Sequence, residues 1–429
     1  MDLFKEIRSV FLTKMMLFLL GAATSIIVAR SLGPEGKGIV AVAFMLPILI
    51  ARLGSFSIGS ANVYLLGNRR ELAKYIFSHS IFLSFLLCLI YFGLFLLFFN
   101  PLKGLFFRDI DNQFVFLGFL LLPLILVLDY LNHGILRGLH KFKQFNFTLI
   151  IRQSSYFMVL VLLLLLADLD VFKVMWATIL GAGAAVIYVL VSITKTTCFN
   201  CNFHPGLLKE AFAFGLKEHL GNTAQQLNVR LDVLILAAYL LPSEIGYYTI
   251  AYMLAEIVWY IPDSIGLVLF PQVSSSDKEA TGIQTARINR LALLLIIVVC
   301  SFLGLIGKVI ISVIYGKAFL PAYPAMLFLL PGIAGLTVAK VLSKYISGIG
   351  KPLLTSTGSI LGLILNIPLL ILLVPRLGII GASIASSVAY IAYAVYIIPV
   401  FIKKSGVSLR NTLVMNKDDI TDILRHFKG

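Results

Sequence analysis

The chain has 429 residues, of which 59% are hydrophobic and only 13% charged, with a mean hydropathy of +0.98. No soluble domain of this length carries that composition, so a large soluble catalytic domain is excluded, and the recurrent apolar runs of about 20 residues read as bilayer spans. A net charge of +15 does not point to nucleic acid, because the Lys and Arg residues sit at the ends of apolar segments instead of forming a basic stripe.

In chain order, hydropathy predicts an all-α integral membrane protein with twelve spans near 9–29, 38–66, 75–99, 113–137, 145–166, 172–194, 209–240, 247–272, 287–314, 325–348, 353–374 and 379–402. The first run, following Lys5 and Arg8, is too long for a cleaved signal sequence and reads as a retained helix. An even number of spans puts both termini on one side. That side collects 21 Lys and Arg residues against 8 on the other, which predicts cytoplasmic termini in the inner membrane. From Asn416 onward, Ile420, Ile423, Leu424 and Phe427 share one helical face, the pattern of an amphipathic tail on the membrane surface. Four cysteines give no disulfide framework: Cys88 and Cys300 lie inside apolar runs, and Cys198 and Cys201 share one polar loop.

Turn residues recur at a nearly constant offset. Pro34 and Gly38 match Pro242 and Gly246, and Pro123 matches Pro331, each 208 residues on; Gly138 and Gly348 differ by 210. This is the trace of a duplicated six-helix unit, and an even number of helices per unit makes the repeats parallel. The division is then an amino-terminal lobe 1–194, a cytoplasmic linker 195–208, a carboxy-terminal lobe 209–402 and the tail 403–429. The linker holds Cys198, Cys201 and His204 in a Cys-x2-Cys-x2-His spacing. Three ligands fall short of the four that structural zinc takes, so an incidental polar linker is the expectation and no metal or cofactor is assigned.

Charges inside spans are costly and mark function unless they are paired. Reflecting residue numbers through a connecting turn compares depth across an antiparallel helix pair. By this test Arg230 and Glu256 lie at one depth in the seventh and eighth spans, and Asp129 and Arg152 in the fourth and fifth, predicting two structural ion pairs. Lys14 and Arg52 also share a depth, in the first two spans, but no acid accompanies them there. Either an anion or a more distant carboxylate sits between them, or Lys14 snorkels to the interface while Arg52 caps backbone carbonyls. Lys340 is a third cation without a partner at reflected depth. Asp232 is the leftover acid of the second lobe: it either carries a coupling proton or sodium ion or pairs with Lys340. Trp176, Tyr239, Tyr247 and Tyr248 fall at outer boundaries and read as interfacial anchors, while Trp259 and Tyr260 lie deeper.

The segment ARSLGPEGKGIVAVAF (29–44) resembles the first outer turn of the polysaccharide transporter family, the lipid-linked oligosaccharide flippases of the multidrug/oligosaccharidyl-lipid/polysaccharide exporter superfamily. LNVRLDVLILAAYLLPSEIGYYTIAYMLAE (227–256) and IPDSIGLVLFPQVSSS (261–276) resemble its seventh and eighth helices, with Arg230, Asp232, Gly246, Tyr248, Ala251, Glu256 and Pro271 on recurrent positions; RGLHKF, SGIGKP and LGIIGASIA resemble its later turns. The resemblance implies two six-helix lobes in a V around a central cavity. It implies alternating access and transfer of a polyprenyl-diphosphate-linked glycan across the cytoplasmic membrane for a surface polymer such as O-antigen, capsule or teichuronic acid. Membrane lipids and a polysaccharide polymerase or glycosyltransferase are the partners it suggests. Lys14, Arg52 and Lys340 would then supply the cations of the cavity. An ion-coupled multidrug exporter of the same superfamily would instead present unpaired acids, and a membrane-embedded glycan-processing enzyme would need a larger loop than any here.

Overall fold

Helix boundaries in this chain are set by glycine and proline punctuating long runs of aliphatic residues. The computed structural model describes residues 3–195, 197, 204–275 and 278–416, apart from the side chains of some helical positions, Lys14 and Tyr260 among them. Helix α1 (Leu3–Gly54) contains a non-helical Gly33 (φ 66°) just before Pro34, so it is two spans meeting at a sharp turn. Only glycine adopts that φ without strain, and proline suits the first position of the following helix. Helix α14 (Pro352–Ser405) is divided in the same way at Gly378 (φ 58°).

Between these come α2 (Ile58–Asn68), α3 (Ala73–Leu97), α4 (Phe99–Phe106), α5 (Asn112–Phe119) and α6 (Leu121–Leu128), which runs into a π-helical stretch, Asp129–Leu136. Then follow α7 (Phe142–Leu166), α8 (Val171–Thr194), α9 (Pro205–Tyr239), α10 (Pro242–Glu256), α11 (Tyr260–Ser275), α12 (Lys278–Ile310) and α13 (Ala322–Gly348), with α15 (Leu409–Leu413) after α14. Proline opens α9, α10 and α14, where its missing N–H has no helical partner in any case. Asp170 caps α8 by accepting from the Lys173 N–H at 2.8 Å.

Eight helices among the described residues are long and apolar enough to cross a membrane. Helix α9 and the α10–α11 pair carry charges in their interiors, including Arg230, Asp232, Glu256 and Asp263.

The chain divides into two units, Met1–Gln226 with Leu240–Gly246, and Leu227–Tyr239 with Tyr247–Gly429. In the first unit the opening turns of α9 pack on the neighbourhood of α2: Arg69 pairs with Glu210 at 2.5 Å, and Tyr64 stacks on Phe214 at 4.4 Å. The repeat-related turns meet in this unit as well. A Cβ on Gly38 would overlap the Pro242 carbonyl, and one on Gly246 would overlap the Pro34 carbonyl. Such reciprocity is what a local two-fold relation between duplicated turns produces. In the second unit α13 is the most buried of the apolar helices. Its Gly332 admits the backbone of Ser387 on α14, whose hydroxyl donates to the Phe328 carbonyl at 2.5 Å, the small-residue packing expected between membrane helices.

Candidate functional site

The first unit places its charges around a break in a helix. After Arg52 and Gly54 the backbone leaves the helical region, with Phe56 (φ 50°) and Ser57 (φ 52°) both left-handed although neither is glycine. Such positions are strained by about 1–3 kcal/mol each and persist only where the surroundings hold them. Here they are held by hydrogen bonds to the carbonyls the break sets free. Tyr91 donates to Gly54 O at 2.8 Å and Tyr130 to Ser55 O at 3.1 Å, while the Ser55 hydroxyl donates back to Arg52 O at 3.0 Å. Opposite the break lies the π-helical stretch, whose wider turn brings Asp129 and His133 toward the break; π segments recur at functional positions.

The result is a small polar cavity of 170 Å³ lined by Arg52, Asp129, His133, Arg137, His219 and Thr223, among others. Arg52 Nη1 donates to Asp129 Oδ1 at 3.1 Å. His219, on α9, links Ser57 Oγ and Thr223 Oγ1 through its two ring nitrogens, each at 3.3 Å. Arg137 and Arg152 are exposed, and neither makes an ion pair among the described residues; Arg152 adds a like charge near Arg52. One carboxylate and two arginines therefore line the cavity, which suits an anion.

These contacts correct two expectations. Asp129 is the partner of Arg52, not of Arg152, and Arg52 is not without an acid. Depth reflection compares consecutive spans only, whereas this acid arrives from the fourth span onto the second, across the packing of α2 against the π-helical stretch. The side chain of Lys14 lies outside the described residues, as do Cys198 and Cys201; His204 donates its backbone N–H to His79 Nε2 at 3.2 Å.

The second unit holds a separate chain of polar groups. Arg230 Nη2 lies 4.0 Å from Glu256 Oε1 and its guanidinium 6.0 Å from the centre of the Tyr252 ring. Asp232, 1% exposed, accepts from the Tyr248 hydroxyl at 2.5 Å and from its neighbour's backbone, Val233 N, at 2.8 Å. Lys340 pairs with Asp263 at 3.0 Å and sits 4.8 Å from the Trp259 ring centre, and Trp259 meets Tyr390 edge-on. Lys340 thus has an acid from a non-consecutive helix, and Asp232 is taken by a tyrosine, not by Lys340. Tyr248, read as an interfacial anchor, is fully buried because its hydroxyl serves Asp232; Tyr239 and Trp176 are exposed as anchors are. The buried hydroxyls of Tyr252, Tyr390 and Ser386 and the Trp259 Nε1 have no well-formed hydrogen bond among the described residues. Sequence reasoning did not single out His133, Arg137 or His219. A His four residues before an Arg in one span is a weak signal, and nothing local ties either to α9.

All-helical units with long apolar helices, glycine-broken spans and charges in the helix interiors define a multi-pass membrane protein. Solved structures agree: the inward closed lipid II flippase MurJ aligns with a TM-score of 0.77 at 16% identity over 97% of this chain and 96% of its own. An inward-facing multidrug resistance MATE family transporter aligns with a TM-score of 0.76 at 16% identity over 91% and 94%. The model of the family described as polysaccharide biosynthesis protein matches residues 27–324, and the chain belongs to that family. A probable low-salt glycan biosynthesis flippase of Haloferax volcanii is 24% identical over 37% of this chain and 35% of its own length, so the chain spans about a third of that relative. A putative O-antigen transporter of Shigella flexneri is 24% identical over 85% of this chain and 89% of its own. Both of these relatives and both solved structures are named as flippases or transporters.

Proposed function

We propose that the protein is a flippase that moves a polyprenyl-diphosphate-linked oligosaccharide across the cytoplasmic membrane for surface polysaccharide synthesis of the O-antigen, capsule or teichuronic acid type. The carrying observation is the cavity at the helix break, where Arg52 faces a single carboxylate while Arg137 on the same wall makes no ion pair among the described residues. A diphosphate needs cations in a low-dielectric setting, and arginine matches its oxygens with a planar fork. Flipping also needs release, and Asp129 supplies it: the carboxylate holds Arg52 when the site is empty and competes with the cargo when it is full. Lys340, held by Asp263, stands in the same relation to an anion in the second unit, and Lys14 is assigned to the cationic set on its sequence position.

Twelve spans in two parallel six-helix lobes, 1–194 and 209–402, working by alternating access, suit this reading. The breaks at Gly33 and Gly378 separate spans that hydropathy also separates, and the reciprocal packing of the Pro34 and Pro242 turns supports a duplication. The Lys and Arg bias puts both termini in the cytoplasm. Asp232, buried on Tyr248, is the acid for a coupling proton or sodium ion. Polymerase or glycosyltransferase partners would take the product on the outer face.

The test is reconstitution into vesicles with a fluorescent polyprenyl-diphosphate oligosaccharide whose outer-leaflet fraction is read by a membrane-impermeant quencher. Wild-type protein should equilibrate the label, and Arg52→Gln at equal protein content should not. Equal rates for the two would remove the cavity from the mechanism.

A further inference from the structure

The second unit carries a feature the cargo reading does not use. Helix α14 folds back at Gly378, so that its first residues and its last turns come to the same end, and between them lies a cavity of 760 Å³. Its walls are apolar where Leu353, Leu354 and Val400 stand and basic where Lys351, Lys403 and Lys404 stand. Lys351 at the start of α14 and Lys403 and Lys404 in its last turn thus line one cavity. None of the three has an ion pair among the described residues.

Lysines that serve only as orientation signals diverge into water, since each ammonium is strongly hydrated and repels the next. Ammonium groups that line one cavity without a carboxylate among the described residues repel one another, and an anion between them relieves that repulsion. The volume falls within the range of about 300–1,000 Å³ typical of small-ligand pockets. One wall opens outward, where Leu353 is 79% exposed in a chain built to sit in lipid. The ligand must therefore be anionic at one end and apolar at the other. Basic pockets between membrane helices on the face marked by excess Lys and Arg are suited to anionic lipid headgroups.

We propose that Lys351, Lys403 and Lys404 form a binding site for the phosphodiester headgroup of one anionic glycerophospholipid, whose acyl chain lies along Leu353 and Val400. The site belongs to the second unit alone and does not rest on the identity of the cargo. A lipid bound there joins the two ends of α14 and makes the stability of the unit depend on membrane composition.

The experiment is native mass spectrometry of the delipidated full-length protein offered phosphatidylglycerol, phosphatidylcholine or polyprenyl phosphate at equal concentrations. Phosphatidylglycerol should be retained in preference to phosphatidylcholine. With each juxtamembrane lysine contributing about 1 kcal/mol, Lys403→Gln should weaken retention roughly fivefold, and the triple change Lys351→Gln, Lys403→Gln, Lys404→Gln on the order of a hundredfold, whereas three arginines should keep it. The single variant and the fall of retention with added salt decide the matter if the triple variant does not fold. Equal retention of phosphatidylcholine, undiminished phosphatidylglycerol on Lys403→Gln, or displacement of phosphatidylglycerol by equimolar polyprenyl phosphate would overturn the proposal, the last by giving the site to the cargo.

Discussion

Replacing Asp129 by asparagine removes the carboxylate paired with Arg52 while keeping the side chain's size. Unit charges at the observed 3.1 Å attract by about 5 kcal/mol at an effective dielectric near 20 and by about 1 kcal/mol in bulk water. The two side chains are 39% and 18% exposed, so the pair stands between the surface and buried regimes, and desolvation offsets most of the attraction. A net coupling of about 1–2 kcal/mol remains. In a double-mutant cycle of Asp129→Asn and Arg52→Gln, thermal unfolding of the purified protein should show the double variant losing less than the sum of the singles by that amount. The same energy opposes any anion that takes Arg52 from Asp129. Asp129→Asn should therefore bind a polyprenyl diphosphate about five- to thirtyfold more tightly, and Arg52→Gln more weakly. Tighter binding should also slow release, so turnover in Asp129→Asn falls although affinity rises. Additive stabilities, or a weaker affinity in Asp129→Asn, would refute the competition and leave the aspartate as a positioning residue.

Gly38→Val or Gly246→Val should destabilise the protein by about 1–3 kcal/mol, read as lowered thermal stability in detergent, because the new Cβ meets the backbone carbonyl of Pro242 or Pro34. A Gly93→Val control, where nothing lies near the Cβ position, should stay close to wild type. Tyr248→Phe deletes the hydroxyl that serves buried Asp232 and should cost about 1–3 kcal/mol; Tyr248→Phe with Asp232→Asn should cost less than the two single losses combined. Lys340→Gln should remove part of the flipping activity, and adding Asp263→Asn to that variant should restore none of it, since the cation that binds the phosphate is already gone. A periplasmic-active reporter fused after Gly429 should be silent and a cytoplasmic-active one bright; the reverse would invert the topology.

The sequence by itself determined the membrane class, the positions of the apolar helices and the turns between them. Those depend on local quantities: hydropathy over about 20 residues, and the φ values that only glycine and proline favour, as at Gly33–Pro34 and Gly378. It also placed Arg230 beside Glu256, because a hairpin of consecutive helices preserves depth on both sides of its turn. Which non-consecutive helices face one another was decided by the tertiary structure. Asp129 reaches Arg52 from two spans away and Asp263 reaches Lys340 across the same gap, and the helix break at Ser55–Ser57 with the π-helical turn opposite it aims the first of these pairs. Depth is set by counting residues along one chain, whereas the direction a side chain faces and the helix it meets are set by packing among all the spans. The partner of a buried charge is therefore a property of the fold.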